Sequence, residues 1–425
     1  DSKKDYPVEE TFTVQVNLKK QPACLIEMEV VAPAELTQKA HTRAIKAVSK
    51  EVDLPGFRKG KAPKELILKN YAAAVEKHWQ KEIADLAFIA VQKQTKLFPL
   101  SSSTSINFNL KKHSLEGAEL SFKYETEPEV PSVDPAIFKL KETAAQTVSE
   151  EQIEEAIRQA RFYFASFQEI EREVQEGDYV LIDLDSIDLD PPVRVFSDTR
   201  FEVKKKAVAD WMLDLLLGSK KGSVIEGLSA PDADLPEAEK KKFAPKKVRL
   251  TVKKVETVQL PEVDDTLAKK MGAENTSKLK ESVRNLLQKN LDEDLLLKQR
   301  EEVGDFLFSH YPFDLPSSLL KSEIKHRQSQ LFSNPSFKLK YDKMGPEEKE
   351  HLEADLNHHS QKAIALFYLT RKLLFDKKIE ITKDEIENEI KKTGQKKTNQ
   401  ENYALALSRL ILTKAEDFIL NHRQR

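Results

Sequence analysis

Two alternating runs stand near the start of the chain. "FTVQVNL" at 12 to 18 and "CLIEMEVV" at 24 to 31 put apolar residues at every second position, the period of a half-buried strand, and the polar turn "KKQPA" between them predicts a hairpin. The period then lengthens. From about 35 to 52, Leu36, Ala40, Ala44 or Ile45, Val48 and Val52 fall on one helical stripe, and from about 63 to 96, Val75, Trp79, Ile83, Leu86 and Ala90 do the same. Runs at 106 to 112 and 118 to 127 return to strand spacing, which predicts a small α+β domain ending near residue 116. "EPEVPSVDPAIFKL" carries three prolines and no helical period, so it reads as an extended linker.

A second set of elements begins at Ser149, where "SEEQ" has the spacing of a capping box between Ser149 and Gln152. Strand patterns follow at "DYVLIDLDSIDL" from 178, more weakly near 201, and at "KVRLTVKKVETV" from 247, giving a second small domain over about 149 to 258. Beyond "LPEVDD" the pattern is almost wholly helical. Leu279, Val283, Leu286, Leu287 and Leu291 form one stripe; Ile364, Leu366, Phe367, Leu369, Leu373 and Leu374 form a broader one. No repeat of fixed period interrupts this. The fold class expected is α+β multidomain, ending in long helices that leave charged and apolar surface open to partners.

Composition narrows the function. Charged residues are 33% of the chain against 39% hydrophobic, with only 11 glycines, a balance that favours solvated helices over an all-β fold. Lys+Arg (69) and Asp+Glu (71) nearly cancel, so any contact with nucleic acid must be a local patch. Cys24 is the single cysteine, which excludes an internal disulfide and a multi-cysteine metal site; its strand-like surroundings read as a small core residue. No apolar run approaches the roughly 18 residues of a membrane helix. "DSKKDYPVEE" lacks a hydrophobic stretch of signal-peptide type, and the expectation is a soluble protein of a reducing cytosol.

The most specific chemistry sits in "LPGFRKGKAP", residues 54 to 63, between two helical runs. Pro55 cannot continue the first helix, and Pro63 suits the first turn of the next. Gly56 and Gly60 let the chain reverse tightly between them. Phe57, Arg58, Lys59 and Lys61 are left at the tip, with Lys64 just behind. Arg58 offers a planar fork for phosphate or carboxylate, the lysines offer mobile point charges, and Phe57 can stack on a base or fill an apolar socket. A phosphate loop is excluded by spacing: three residues separate the glycines, and Ala62 follows the lysine where Ser or Thr is needed.

Gly56-Phe57-Arg58-Lys59-Gly60-Lys61-Ala62-Pro63 resembles the ribosome-docking signature of the trigger factor family of bacterial chaperones. "LPEVDDTLAKKMG" from Leu260 and "FDLPSSLLKSEI" from Phe313 are similar to that family's re-entry into its C-terminal domain and to the opening of one of its helical arms. The resemblance implies a ribosome-binding domain over 1 to 116, a linker over 117 to 148 packing with the C-terminal domain, an FKBP-type prolyl isomerase domain over 149 to 258, and a helical chaperone domain over 259 to 425. It also implies partners: ribosomal protein and RNA at the tunnel exit of the large subunit, unfolded and nascent polypeptides, and a second copy when free. No nucleotide, metal or other cofactor is called for.

The middle domain departs from its family. An FKBP-type site resembles an apolar pocket with an Ile-Pro-Gly-Phe-Glu-type turn at a helix start. Counting back from Gly218 and Gly222, that turn falls on Ala209-Asp210-Trp211-Met212-Leu213, without its proline, glycine, phenylalanine or glutamate. Isomerisation needs a dry cleft that favours the twisted amide over the planar one. A pocket without that turn predicts weak or absent activity, with Trp211 either an aromatic wall or plain core.

Other constellations carry less. His351, Asp355 and His359 share a helical face and read as solvated rather than metal-binding. "NTS" at Asn275 reads as a helix start. The sequence thus favours an ATP-independent, ribosome-associated chaperone. The alternatives are a soluble prolyl isomerase with accessory substrate-binding domains and, on weaker grounds, an RNA-binding protein.

Overall fold

The computed structural model describes residues 11–141, 145–394 and 399–423. The opening ten residues, read above for targeting signals, lie outside these, as do residues 142–144 within the expected linker at 117 to 148.

β1 (Gln15–Gln21) and β2 (Leu25–Pro33) form the expected hairpin, followed by α1 (Ala34–Glu51), α2 (Lys64–Asn70), α3 (Ala72–Thr95), β3 (Asn107–Ser114) and β4 (Gly117–Glu125). The sheet is antiparallel in the order β1-β2-β4-β3, with Met28 opposite Phe122. Alternation does the work: Ile26, Met28, Val30 and Ala32 of β2 and Ala118, Leu120, Phe122 and Tyr124 of β4 turn to one face, where Leu36 and Ala40 of α1 and Ile83, Ala87 and Val91 of α3 cover them. Tyr124 Oη donates to the Leu97 carbonyl at 2.7 Å and Trp79 Nε1 to that of Thr37 at 2.8 Å, so both aromatic polar tips are satisfied.

Three expectations for this region need correction. The boundary at 116 falls inside the β3–β4 hairpin, because β4 pairs with both β2 and β3. The run from 63 to 96 is two helices: Tyr71 leaves helical geometry (φ −132°, ψ 32°), its hydroxyl donates to the Asp53 carbonyl and its ring joins a small core beneath the preceding loop. Cys24 is not in a core strand. It lies in the β1–β2 turn, half-buried, at φ 57°.

α4 (Glu150–Arg161) begins with the capping box read from the sequence, both of its bonds being present. β5 (Ser166–Glu169), β6 (Tyr179–Ser186), β7 (Val193–Glu202), α5 (Asp210–Leu216), β8 (Val224–Leu228), α6 (Glu237–Lys242) and β9 (Lys247–Gln259) follow. The sheet runs β5-β9-β6-β7, with β8 also pairing β9. The weak strand signal near 201 is a ten-residue edge strand, and β5 and β8 went unread because they are four and five residues long. Val180, Ile182, Leu250, Val252, Met212 and Leu216 form the core between this sheet and α5.

α7 (Asp265–Lys270), α8 (Thr276–His310), α9 (Ser317–Phe332), α10 (Pro335–Asp342), α11 (Pro346–Asp376), α12 (Lys383–Lys392) and α13 (Gln400–His422) complete the chain. Asn275 accepts the Lys278 amide at 2.9 Å, a helix start as expected. Residues Asp1–Glu142 with Leu296–Arg425 make one compact unit and Thr143–Leu295 the other. The stretch from 259 to 295 therefore groups with the middle sheet, and the expected boundary at 258 is not where the compact units part. In the first unit, Val133 and Phe138 of the proline-rich segment are buried with Val303 and Leu307 of α8, Leu369 and Leu373 of α11, and Ile419 of α13. Among the described residues, no helix is long and apolar enough to cross a membrane.

Candidate functional site

The basic loop is built on the last turn of α1. α1 stops at Glu51, three residues before the sequence reaches Leu54-Pro55, and the Val52 amide closes it on the Val48 carbonyl. Two short reversals follow: the Phe57 amide donates to Leu54 (3.1 Å) and the Lys61 amide to Arg58 (2.9 Å). The Gly60 amide then reaches back to the Ser49 carbonyl at 2.7 Å, pinning the tip to the helix it left. Gly56 and Gly60 stand at φ +89° and +78°, a region that a side chain would strain. Pro63 is the N-cap of α2 and not part of its first turn; its carbonyl accepts the Ile67 amide at 3.2 Å.

A separate small core lies under this loop. Ala44, Ile45 and Val48 of α1, Ile67 of α2 and Val75 of α3 are buried there, with Val52, Ala62 and Tyr71 packed around them. Ala62 is thus the anchored member of the signature. Phe57 is 43% exposed, and Arg58, Lys59 and Lys61 are exposed beside it. Lys59 pairs with Asp53 at 3.3 Å; among the described residues Arg58 and Lys61 have no such carboxylate. The arrangement leaves an apolar ring and free guanidinium on a tip pinned to α1, which suits a polyanionic surface with a socket.

Residues 209 to 213, expected to hold a degenerate isomerase turn, cap and open α5 and pack on the sheet core. Ala209 is the N-cap of α5, Met212 is buried, and Trp211 and Leu213 pack part-buried against the sheet core. Asp210 is tied down from both sides: its amide donates to Asp232 at 2.9 Å, and its carboxylate receives the Ala233 amide at 3.4 Å. In the same sheet, on β6, the buried Asp183 carboxylate accepts from the Asp198 amide (2.8 Å), Arg194 (2.9 Å) and Lys253 (3.2 Å). Burial alone pushes its pKa up, yet these three partners outweigh it and hold the group below the usual carboxylate range.

A third site was only half legible. α9, α11 and α13 enclose an open cleft of about 590 Å³ whose apolar lining includes Leu319, Ile364, Leu366, Phe367, Ile411 and Leu412. Its charged groups are largely paired, Glu323 with Arg327 at 2.7 Å and Lys362 with Asp305 at 2.5 Å. Ile364, Leu366 and Phe367 belong to the stripe noted in the sequence; the α9 and α13 walls did not stand out, because a cleft wall and a core face give the same helical period. His359 reaches the cleft, while His351 and Asp355 are exposed, and no group of three or more His, Cys, Asp or Glu among the described residues is arranged to hold a metal ion.

An exposed basic tip pinned to α1, a middle sheet with α5 packed on its core, and an open apolar cleft between helices define a multidomain binding protein of the chaperone class. Comparison with known proteins gives the family. The model described as "Bacterial trigger factor protein (TF)" matches residues 14–160, and that described as "Bacterial trigger factor protein (TF) C-terminus" matches residues 276–409. The chain belongs to the trigger factor family. Trigger factor of Protochlamydia amoebophila is 27% identical over 433 residues, covering 97% of this chain and 96% of the relative. That of Chlamydia pneumoniae is 28% identical over 381 residues, covering 88% and 85%. A solved structure described as "Promiscuous Substrate Recognition in Folding and Assembly Activities of the Trigger Factor Chaperone" shares the fold, with a TM-score of 0.55 and 19% identity over 96% of this chain and 99% of that one.

Proposed function

We propose that this chain is an ATP-independent chaperone of the cytoplasm that docks at the tunnel exit of the large ribosomal subunit and shelters nascent polypeptides. The observation that carries the reading is the loop: Phe57, Arg58 and Lys61 stand out from a tip pinned to α1 and seated on its own core. Arg58, Lys59 and Lys61 meet ribosomal RNA or acidic protein side chains, and Phe57 enters an apolar socket. The α9/α11/α13 cleft receives apolar client segments through many weak contacts, so clients exchange quickly and leave to fold. Off the ribosome the same apolar surface serves self-association, as the family resemblance implies.

Co-sedimentation with large ribosomal subunits across a salt series tests the docking. The intact protein is expected to pellet with the subunits, with an affinity that falls as salt rises because cation contacts to phosphate release counterions. The triple variant Phe57→Ala, Arg58→Ala, Lys59→Ala should stay in the supernatant while its circular dichroism is unchanged. Equal binding by both proteins would remove the loop from the interface.

A further inference from the structure

α9 starts at Ser317 behind Pro316, and no side chain of its own first turn or N-cap satisfies its free amides. The cap comes from the N-terminal sheet. Glu125, the last residue of β4, accepts from Ser317 Oγ at 2.9 Å and from the Ser318 amide at 3.0 Å, and Ser318 Oγ bonds its second oxygen. A carboxylate there also meets the positive end of the helix dipole.

A second contact lies beside it. The β1–β2 turn uses Ala23 and Cys24 at φ 62° and 57°, positions where hairpin turns ordinarily take Asn, Asp or Gly. What Cys24 does there is bond Asp314: its amide donates to Oδ2 at 3.0 Å and its thiol to the carbonyl at 3.2 Å. Burial, then Asp314, Glu125 and Glu129, push that thiol's pKa up to about 12, so it stays protonated and keeps donating. The adjoining Phe313 ring meets Tyr368 of α11 edge-on at 6.3 Å. The segment from Tyr311 to Leu315 also borders an open cavity of about 370 Å³, lined besides by Phe308, Leu320 and Gln361.

The root of α9 is thus gripped by polar bonds and also borders free volume. We propose that Glu125 and the β1–β2 turn form a latch on the root of α9, so that contact with the N-terminal sheet sets the opening of the α9/α11/α13 cleft. Leu319, Ser322 and Arg327, which line the cleft, follow directly from the capped turn. When the latch is closed, α9 is held against α11. When it is broken, the root relaxes into the cavity and carries the cleft wall with it. The consequence for clients rests on the reading of the cleft given above.

Hydrogen exchange by mass spectrometry on the full chain tests this, comparing the wild type with Glu125→Ala and, from the opposite side, Asp314→Ala. Both variants are expected to speed exchange about 5-fold or more, the scale of a lost helix cap, across 315–327 and into the facing stretch of α11, with α1 and α3 unchanged as the folding control. Acceleration confined to the first turn of α9, or none, overturns the latch and leaves Glu125 a local cap. Affinity for reduced, carboxymethylated α-lactalbumin, measured on the same proteins, separates the two ideas. If exchange spreads and affinity is unchanged, the latch stands and the client reading of the cleft falls.

Discussion

Glu416 illustrates how much a single position can hide. It lies on α13, is only 7% exposed, and has no fold-independent reason to be noticed in "TKAEDFILNH". Burial raises its pKa to about 7; Arg300 and Lys362 pull it down, Asp417 pushes it up, and Arg300 is itself occupied by a two-pronged pairing with Asp417. The folded pKa stands above the unfolded value of 4.5, so the folded chain binds this proton more tightly. Its contribution to stability is therefore present below about pH 4.5 and is lost as pH rises to about 7. Glu416→Gln, which keeps the shape without the charge, is expected to leave stability unchanged near pH 4.5 and to raise it by about 1–2 kcal/mol at pH 8, after allowance for partial solvent access. Thermal midpoints of both proteins from pH 4.5 to 8 check this; a gain that does not grow with pH would mean that the carboxylate is ionised throughout.

At the scale of the element, local rules explain most of what was read correctly. The Ser149–Gln152 box needed no tertiary information, since a capping box depends only on residues three apart. Ser149→Ala should cost about 1 kcal/mol of stability in the unit that contains α4. The chain has two tryptophans, Trp79 in one compact unit and Trp211 in the other, so denaturant unfolding followed by fluorescence in a Trp79→Phe background reports the second unit alone. No change in that midpoint would show that the cap is replaced by solvent. The misread elements fail for equally local reasons. Tyr71 fits a helical stripe by spacing, yet its ring and hydroxyl are used to hold the loop. Cys24 extends a strand pattern by one residue, yet the turn needs that residue for its own bonds.

At the scale of the whole molecule, the middle unit bears on whether a chaperone of this kind is also an enzyme. Trp211, Met212 and Leu213 pack into or against the sheet core, and Asp210 is fixed by Asp232 and Ala233. Turnover of a proline peptide is expected to stay near the uncatalysed rate, which a barrier of about 18–20 kcal/mol sets. Rates typical of active FKBP-type enzymes in a protease-coupled assay would overturn that expectation. Assembly is also decided at this scale. Val133 and Phe138, from a segment with no regular period, are buried with helical residues from Val303 onward, and β4 completes the sheet that the expected boundary had closed one strand early.

By itself the sequence determined the strands and helices with strong period, the helix starts and the exposed basic tip between α1 and α2. Each depends on residues within a few positions of one another, where spacing and backbone chemistry act directly. Only the tertiary structure decided that Ala62 anchors the loop, that Glu416 is buried, that three helical stripes enclose a cleft as well as a core, and that Glu125 caps a helix that begins at Ser317. Those facts join residues far apart in the chain. An apolar stripe or a lone carboxylate has no character of its own until packing decides what faces it.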